Sequence, residues 1–312
     1  MNDVMVSVYV TTFNHENYIV RALDSILMQK TRYSMEVLVG EDCSTDNTRA
    51  VLKQWESEHP GVFQIFYRET NLYHTDCPNH MDLKLRCRGK YIICLEGDDF
   101  WTDPEKIEKQ VTFLENHPEY YAVSHNCTVV GRDSLPNGEE YPQCRDTQYT
   151  YRHFASDIMP GQLATFLSRN YMMDDSFDRS LIMQKTGPGD RNIYFSIMTL
   201  RRIYCMQENM SAYRHITTEG SSYSATVRFS FEKESISHLR RIEFAIKYNN
   251  ADAAKCARLQ YLVCARLGLW QKQLSFKQFF EKIRIIPNWP YYLLLLLKRD
   301  FNAKILHKTP YI

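Results

Sequence analysis

Short apolar blocks and polar breaks alternate along the first 130 residues. Val4 to Val10 is a run rich in β-branched residues and predicts a strand. It stops at Thr11 to Asn14. From His15 to Gln29 the apolar positions are Ile19, Ala22, Leu23, Ile26 and Leu27, the spacing of one helix face. Met35 to Gly40 predicts a second strand, closed by the polar stretch Glu41 to Thr48, and Ala50 to Trp55 continues a second helix. Val62 to Tyr67 predicts a third strand. A polar loop, Arg68 to Pro78, leads to a helix from Asn79 to Cys87, with Gly89 as its end signal. Tyr91 to Leu95 is a short apolar run between polar residues, the pattern of a strand buried on both faces. Thr102 and Glu105 have capping-box spacing and Pro104 suits a first turn, so a helix is expected over Pro104 to Asn116. Tyr120 to Val130 predicts a further strand.

Strands and helices in strict alternation predict an α/β fold with a parallel, doubly wound sheet. The strand ends at Thr11–Asn14, Glu41–Asp46 and Glu96–Asp99 then share one sheet edge, where such sheets bind ligands. Beyond residue 130 the pattern is looser. Gly131 to Gln148 reads as an excursion loop, Ala164 to Leu167 as strand-like, and Asp174 to Gly189 as a helix and turn. Asp190 opens a helix reaching Ile203, and Tyr204 to Tyr213 is extended. His215 to Thr226 has the composition of a mobile loop. Val227 to Leu267 is helical and basic.

Charge and cysteine content narrow the classes. Net charge is +1 over 312 residues, which gives no polyanion-binding character and no reason to expect a nucleic-acid partner. The charge is uneven: Gly268 to Ile312 carries eight Lys or Arg against Glu281 and Asp300. With Trp289, Tyr291, Tyr292 and a leucine run, that segment suits either an anionic membrane surface or packing on the rest of the protein. Nine scattered cysteines, without zinc spacing, predict reduced and mostly buried thiols in a cytoplasmic protein. No secretory leader pattern opens the chain, and the longest apolar run, Tyr291 to Leu297, is too short to span a bilayer.

The chemistry concentrates at Glu96, Asp98 and Asp99, three carboxylates within four residues at the end of a central strand. Clustered acids repel, and a divalent cation with oxygen ligands is the usual reason to keep them. The bland alternative is a solvated turn whose charges suit a helix start. The Gly-rich dinucleotide fingerprint and the P-loop are both absent, which argues against a dinucleotide oxidoreductase and a P-loop NTPase. A phosphate held here would need a metal to neutralise it.

Four blocks, Val6 to Asn14, Ala22 to Gln29, Val37 to Thr48 and Gly89 to Trp101, resemble family 2 glycosyltransferases in order and spacing. The resemblance implies the GT-A nucleotide-diphospho-sugar transferase fold, a Rossmann-like, mostly parallel sheet flanked by helices, here with a helical C-terminal extension. It implies inverting transfer from a nucleotide-sugar, with Mn²⁺ or Mg²⁺ on the diphosphate. Carried over by position, Thr11 and Phe13 face the nucleotide, with Phe13 against the base. Asp42 hydrogen-bonds the base, typically uracil. Asp98 lies near ribose and metal, and Asp99 holds the metal, with Glu96 acting through water. Cys43 stands where the family often has Gly. Ser44 or Asp46 caps the following helix, which leaves Asp42 free. Asp190 matches the general base, with Asp174 and Asp175 as runners-up. Arg214 and His215 match a basic pair near the diphosphate, His215 as a third metal ligand. The loop Thr217 to Ser224 is placed to close over the donor.

The expected organisation is a catalytic domain over 1–225, with a nucleotide-sugar half at 1–130 and an acceptor half at 131–225, then a basic helical region over 226–312. The expected partners are a UDP-sugar donor and a glycan or lipid-linked acceptor in polysaccharide biosynthesis, on the cytoplasmic side. The competing readings are a sugar-1-phosphate nucleotidyltransferase, for which Phe13 to Glu16 is the wrong loop, and a non-catalytic nucleotide- or carbohydrate-binding relative.

Overall fold

The computed structural model describes residues 4–184, 189–216 and 229–305, the side chains of 300–305 excepted. The expected lid, Thr217 to Ser224, lies outside the described residues. The chain forms two compact units. The first comprises Met1–Thr147, Pro160–Phe177 and Ile203–Thr226; the second comprises Gln148–Met159, Asp178–Arg202 and Val227–Ile312. The sequence-based boundary near 225 separates the last helices, whereas the compact division also assigns 148–159 and 178–202 to the helical unit.

In the first unit the elements are β1 (Val6–Thr12), α1 (Ile19–Leu27), β2 (Met35–Glu41), α2 (Thr48–Glu58), β3 (Gln64–Tyr67), α3 (Asn79–Arg86), β4 (Tyr91–Glu96), β5 (Phe100–Trp101), α4 (Lys106–Asn116), β6 (Tyr120–Val130), β7 (Leu167–Arg169) and β8 (Arg202–Arg214). The sheet order is β3-β2-β1-β4-β7-β6-β8-β5. β1 to β4 are parallel, as the alternating pattern predicts. Their interior positions are apolar on both faces. Val8, Val10, Val39, Ile93 and Leu95 pack with Ile19, Leu23 and Ile26 of α1 and Leu52 and Trp55 of α2.

The structure departs from the expected order at β7. This three-residue strand inserts between β4 and β6 and is antiparallel to both. The stretch expected as a strand at Ala164 to Leu167 is a 3-10 turn, Leu163–Thr165, followed by β7. Residues 174–184 form turns without a helix. The expected capping box at Thr102 and Glu105 is not made: α4 begins at Lys106, and Asp103 Oδ1 accepts from the Glu105 N–H at 2.7 Å. Gly89 does not end α3 in a left-handed turn. It sits against β1, where an added Cβ would lie 2.5 Å from the Ser7 nitrogen. Its own N–H donates to Ser7 Oγ at 2.7 Å.

The second unit holds α5 (Tyr151–Ala155), α6 (Gly189–Leu200), α7 (Phe231–Lys247), α8 (Ala251–Trp270), α9 (Phe276–Ile283) and α10 (Trp289–Ile305). α8 is central and is buried along Ala253, Ala257, Tyr261, Leu262 and Ala265. Side-chain caps start four of these helices: the Thr150–His153 and Ser275–Gln278 capping boxes, Ser230 and Asn250. No described helix is long and apolar enough to cross a membrane. All nine cysteines are free, and seven are buried, as the scattered spacing implied.

Candidate functional site

The register of the parallel strands levels three strand ends. Thr11 of β1 lies opposite both Gly40 of β2 and Glu96 of β4, and Thr12 lies opposite Glu41. The turns that follow are tied to β1: the Asp42 N–H donates to the Thr12 carbonyl at 3.0 Å, and the Gly97 N–H to the Thr11 carbonyl at 2.8 Å. Thr11, Phe13, Asp42, Asp98 and Asp99 are therefore gathered on one sheet edge, as the spacing predicts.

Two non-glycine residues on that edge adopt left-handed backbone, Asn14 at φ 57° and Cys43 at φ 59°. The conformation that favours Gly at position 43 is thus kept with Cys in place. Glu41 explains how. It is fully buried, its Oε1 accepts from the Ser44 N–H at 2.6 Å, and its Oε2 pairs with Arg49 at 2.5 Å. Ser44 accepts from the Asn14 N–H, so it joins two loops and does not cap α2. The N-cap position is Asn47, without a side-chain cap bond, and Asp46 just before it accepts from the Thr48 N–H at 2.9 Å.

Asp42 is left with one committed oxygen. Oδ1 accepts from the Leu72 N–H at 2.8 Å, and burial raises the carboxyl above its ordinary pKa. No hydrogen bond to Oδ2 is present among the described residues, so that oxygen can meet a ligand donor. Phe13 and Thr11 are half-buried at the same edge.

The acid turn closes tightly, with the Asp99 N–H donating to the Glu96 carbonyl at 3.0 Å. Gly97 is required there. A Cβ would lie 2.8 Å from the Thr12 side chain and 2.9 Å from His15 Nδ1. Asp99 is 1% exposed, and both of its oxygens are engaged. Oδ1 accepts from the Arg214 N–H at 2.8 Å and Oδ2 from Gln162 Nε2 at 2.8 Å. Burial, followed by the charges of Asp98 and Glu96, pushes Asp99 well above the usual carboxylate range. The Asp98 side chain retains 26% exposure and lies 3.9 Å from His15 Nε2.

Arg214 reaches the turn because β5 pairs antiparallel with β8, Phe100 opposite Ala212 and Trp101 opposite Ser211. Its guanidinium works structurally. Nε donates to the Asp98 carbonyl at 3.0 Å, Nη2 to Ser134 Oγ at 2.7 Å, and Nη1 to the carbonyls of Gly131 and Arg132. It also lies over the Tyr18 ring at 3.9 Å. His215 does not join the acids: its Nδ1 meets Glu139 Oε2 at 2.5 Å. Among the described residues no group of three His, Cys, Asp or Glu is arranged to hold a metal ion. Asp174, a runner-up base, is committed to the Tyr121 hydroxyl and the Ser176 N–H. Asp190 belongs to the helical unit. It is the second residue of α6, its Oδ1 accepting from the Arg191 N–H at 2.7 Å.

Sequence reasoning missed Gln162. Its Nε2 donates to both Asp99 and Glu96, the latter at 3.3 Å, while its Oε1 is fixed by the Ala164 N–H at 2.6 Å. The 3-10 turn behind it is held by Trp101 Nε1 on the Ala164 carbonyl and Gln110 Nε2 on the Thr165 carbonyl. A lone Gln carries no motif, and only the fold brings it to the acids.

The sequence profile of the family described as glycosyl transferase family 2 matches residues 7–175, more than half of the chain. The chain belongs to glycosyl transferase family 2. The match takes in β1 through β7 and so includes the levelled strand ends and the acid turn of this family 2 member. An uncharacterized protein of Mycobacterium tuberculosis is 36% identical over 137 residues, 44% of this chain and 39% of that protein. The chain therefore aligns with about two fifths of that relative's length. The Escherichia coli UDP-Glc:alpha-D-GlcNAc-diphosphoundecaprenol beta-1,3-glucosyltransferase WfgD is 26% identical over 183 residues, 57% of this chain and 65% of that enzyme. Among solved structures, residues 1–349 of Staphylococcus aureus TarS in complex with UDP-GlcNAc superpose with a TM-score of 0.62 at 17% identity, covering 89% of this chain and 79% of that one. That likeness establishes the GT-A fold for this family 2 chain.

Proposed function

We propose that this protein transfers a sugar, with inversion, from a UDP-sugar to a hydroxyl of a glycan or lipid-linked saccharide. The observation that supports it most directly is the levelled strand-end edge, where an accepting carboxylate at Asp42 and the Asp98–Asp99 turn follow β2 and β4, the two strands that flank β1. Uracil and ribose supply donors for Asp42 Oδ2 and Asp98. Phe13 offers a stacking face for the base, with Thr11 beside it. UDP is favoured as carrier because the name of WfgD and the TarS complex both specify UDP-sugars.

Mn²⁺ or Mg²⁺ suits this edge. Asp98 offers a partly open hard oxygen, and the repulsion among Glu96, Asp98 and Asp99 is what a cation relieves. The described residues provide at most two carboxylates together, so donor phosphates and water would complete the shell, as is usual for Mg²⁺. His215 could add only Nε2, since Nδ1 is held by Glu139. When bound, the cation offsets charge on the leaving diphosphate. Asp190 takes the proton from the acceptor hydroxyl as its oxygen bonds to the anomeric carbon and the bond from that carbon to the diphosphate breaks. Arg214 keeps the acid turn in shape and is not free to follow the phosphates.

The acceptor's setting is proposed as the cytoplasmic face of the membrane. Phe276, Ile285, Leu294 and Leu297 are exposed on α9, α10 and the link between them, close in sequence to Lys277, Lys282 and Arg284. The test of transfer is UDP release from a panel of UDP-sugars in the presence of saccharide acceptors and Mn²⁺. Asp190→Asn should lower kcat by about 10²–10⁴-fold while donor affinity stays unchanged. Normal turnover in that variant removes Asp190 from the chemistry, and donor binding without turnover by the wild type selects the non-catalytic reading.

A further inference from the structure

The helical unit contains a buried positive charge that no carboxylate among the described residues neutralises at close range. Arg241 on α7 is 1% exposed. Its Nε donates to Asn192 Oδ1 at 3.0 Å and its Nη1 to His238 Nδ1 at 3.3 Å. Its Nη2 is buried without a hydrogen-bond partner. Both partners are neutral groups. His238 accepts through Nδ1, and burial, then the charges of Arg241 and Arg191, hold its pKa well below the ordinary imidazole value. Among the described residues no carboxylate lies within ion-pair distance of Arg241; Glu234 and Asp190 act on it only from further away.

A second guanidinium faces the same ring. Arg191 lies over Phe154 at 4.8 Å from the centroid, and Arg241 at 5.7 Å. Arg191 is matched by Asp157, 2.8 Å away, and its side chain keeps 17% exposure. One cation of the pair is therefore balanced and reaches solvent, and the other is unbalanced and inside. Burying a charge without a counter-charge is strongly unfavourable, and the gap is closed when an anion takes the open donors. Guanidinium groups suit oxyanions through paired N–H donors.

We infer that Arg241 and Arg191 form a binding site in the helical unit for a monoanionic oxyanion, a phosphodiester or a carboxylate. One negative charge restores neutrality, and Arg241 Nη2 provides the unused donor. Resting on the transfer reading, the anion is a charged group of the acceptor, and the site selects acceptors that carry one. The alternative is that Arg241 only clamps α7 to α6 through Asn192, which Ser237 also bonds at 3.4 Å.

The test needs no turnover, so its failure is distinct from failure of the transfer reading. The full chain is melted in chloride buffer at constant ionic strength while dimethyl phosphate or acetate replaces chloride. The inference expects a saturable rise in wild-type Tm with at least one of the two, and the one that saturates at lower concentration identifies the chemistry. Arg241→Met should abolish the rise and melt no lower than wild type in chloride, because an apolar side chain of similar length removes the unbalanced charge. Arg191→Gln, at the exposed edge, should weaken the response about tenfold and serves where Arg241→Met does not fold. No rise in the wild type beyond that in chloride, or an unchanged response in both variants, overturns the site and leaves Arg241 as a clamp.

Discussion

Asp98 and Asp99 are neighbours with opposite situations. Asp99 is buried and saturated by the Arg214 N–H and Gln162, whereas Asp98 keeps a partly open carboxylate. Removing the Asp98 charge relieves repulsion on Asp99. Asp98→Asn should therefore raise the metal-free Tm at neutral pH by the equivalent of up to about 1 kcal/mol and lose any Mn²⁺-dependent rise in Tm. A variant that still gains stability with Mn²⁺ would move the metal away from Asp98. Gln162→Ala leaves the buried Asp99 Oδ2 without its Gln162 donor and should cost about 1–3 kcal/mol in denaturant unfolding. Gln162→Glu should cost more, because it adds a fourth carboxylate. A cost below about 0.5 kcal/mol would mean that Gln162 is incidental to the turn.

Between elements, the join of β1, β2 and β4 depends on one acid. Glu36 accepts from Ser7 Oγ at 2.5 Å, from the Arg88 N–H at 2.7 Å and from the Arg88 side chain at 2.7 Å. Burial pushes the Glu36 pKa up, but the hydrogen bonds from Ser7 and Arg88 outweigh it and the net shift is downward. A lowered folded-state pKa stabilises above the unfolded carboxylate value and is lost as pH falls through the folded one. Glu36→Gln should thus lower stability at pH 7 by about 1.5–3 kcal/mol. The gap to wild type should narrow below about pH 4.3. An equal gap at pH 7 and pH 3.5 would contradict the latch. β1 to β4 were legible in the sequence because each carries a long apolar run between polar breaks. β5, β7 and the turn at Leu163–Thr165 were not: two or three residues set no period, and their pairing partners decide their conformation. The edge residues Thr11, Phe13, Asp42, Asp98 and Asp99 were legible because they follow readable strands. Gln162 was not, nor was the structural use of the Arg214 guanidinium, because both depend on where β7 and β8 return.

Taken whole, the chain joins a sheet unit, which holds most of the family match, to a unit built around α8. Exposed apolar residues and lysines on the C-terminal helices predict co-sedimentation with vesicles rich in phosphatidylglycerol and much weaker binding to phosphatidylcholine, with loss at high salt. Equal binding to both would remove charge from the interaction, and no binding would leave that face without a membrane role. The levelled strand ends are proposed as the UDP-sugar site. Calorimetric titration of the wild type and of Asp98→Asn with UDP, with and without Mn²⁺, tests it most directly. Saturable UDP binding that Mn²⁺ strengthens in the wild type and not in the variant is the predicted result. No UDP binding under either condition, or Mn²⁺-strengthened binding that survives in Asp98→Asn, would contradict the claim.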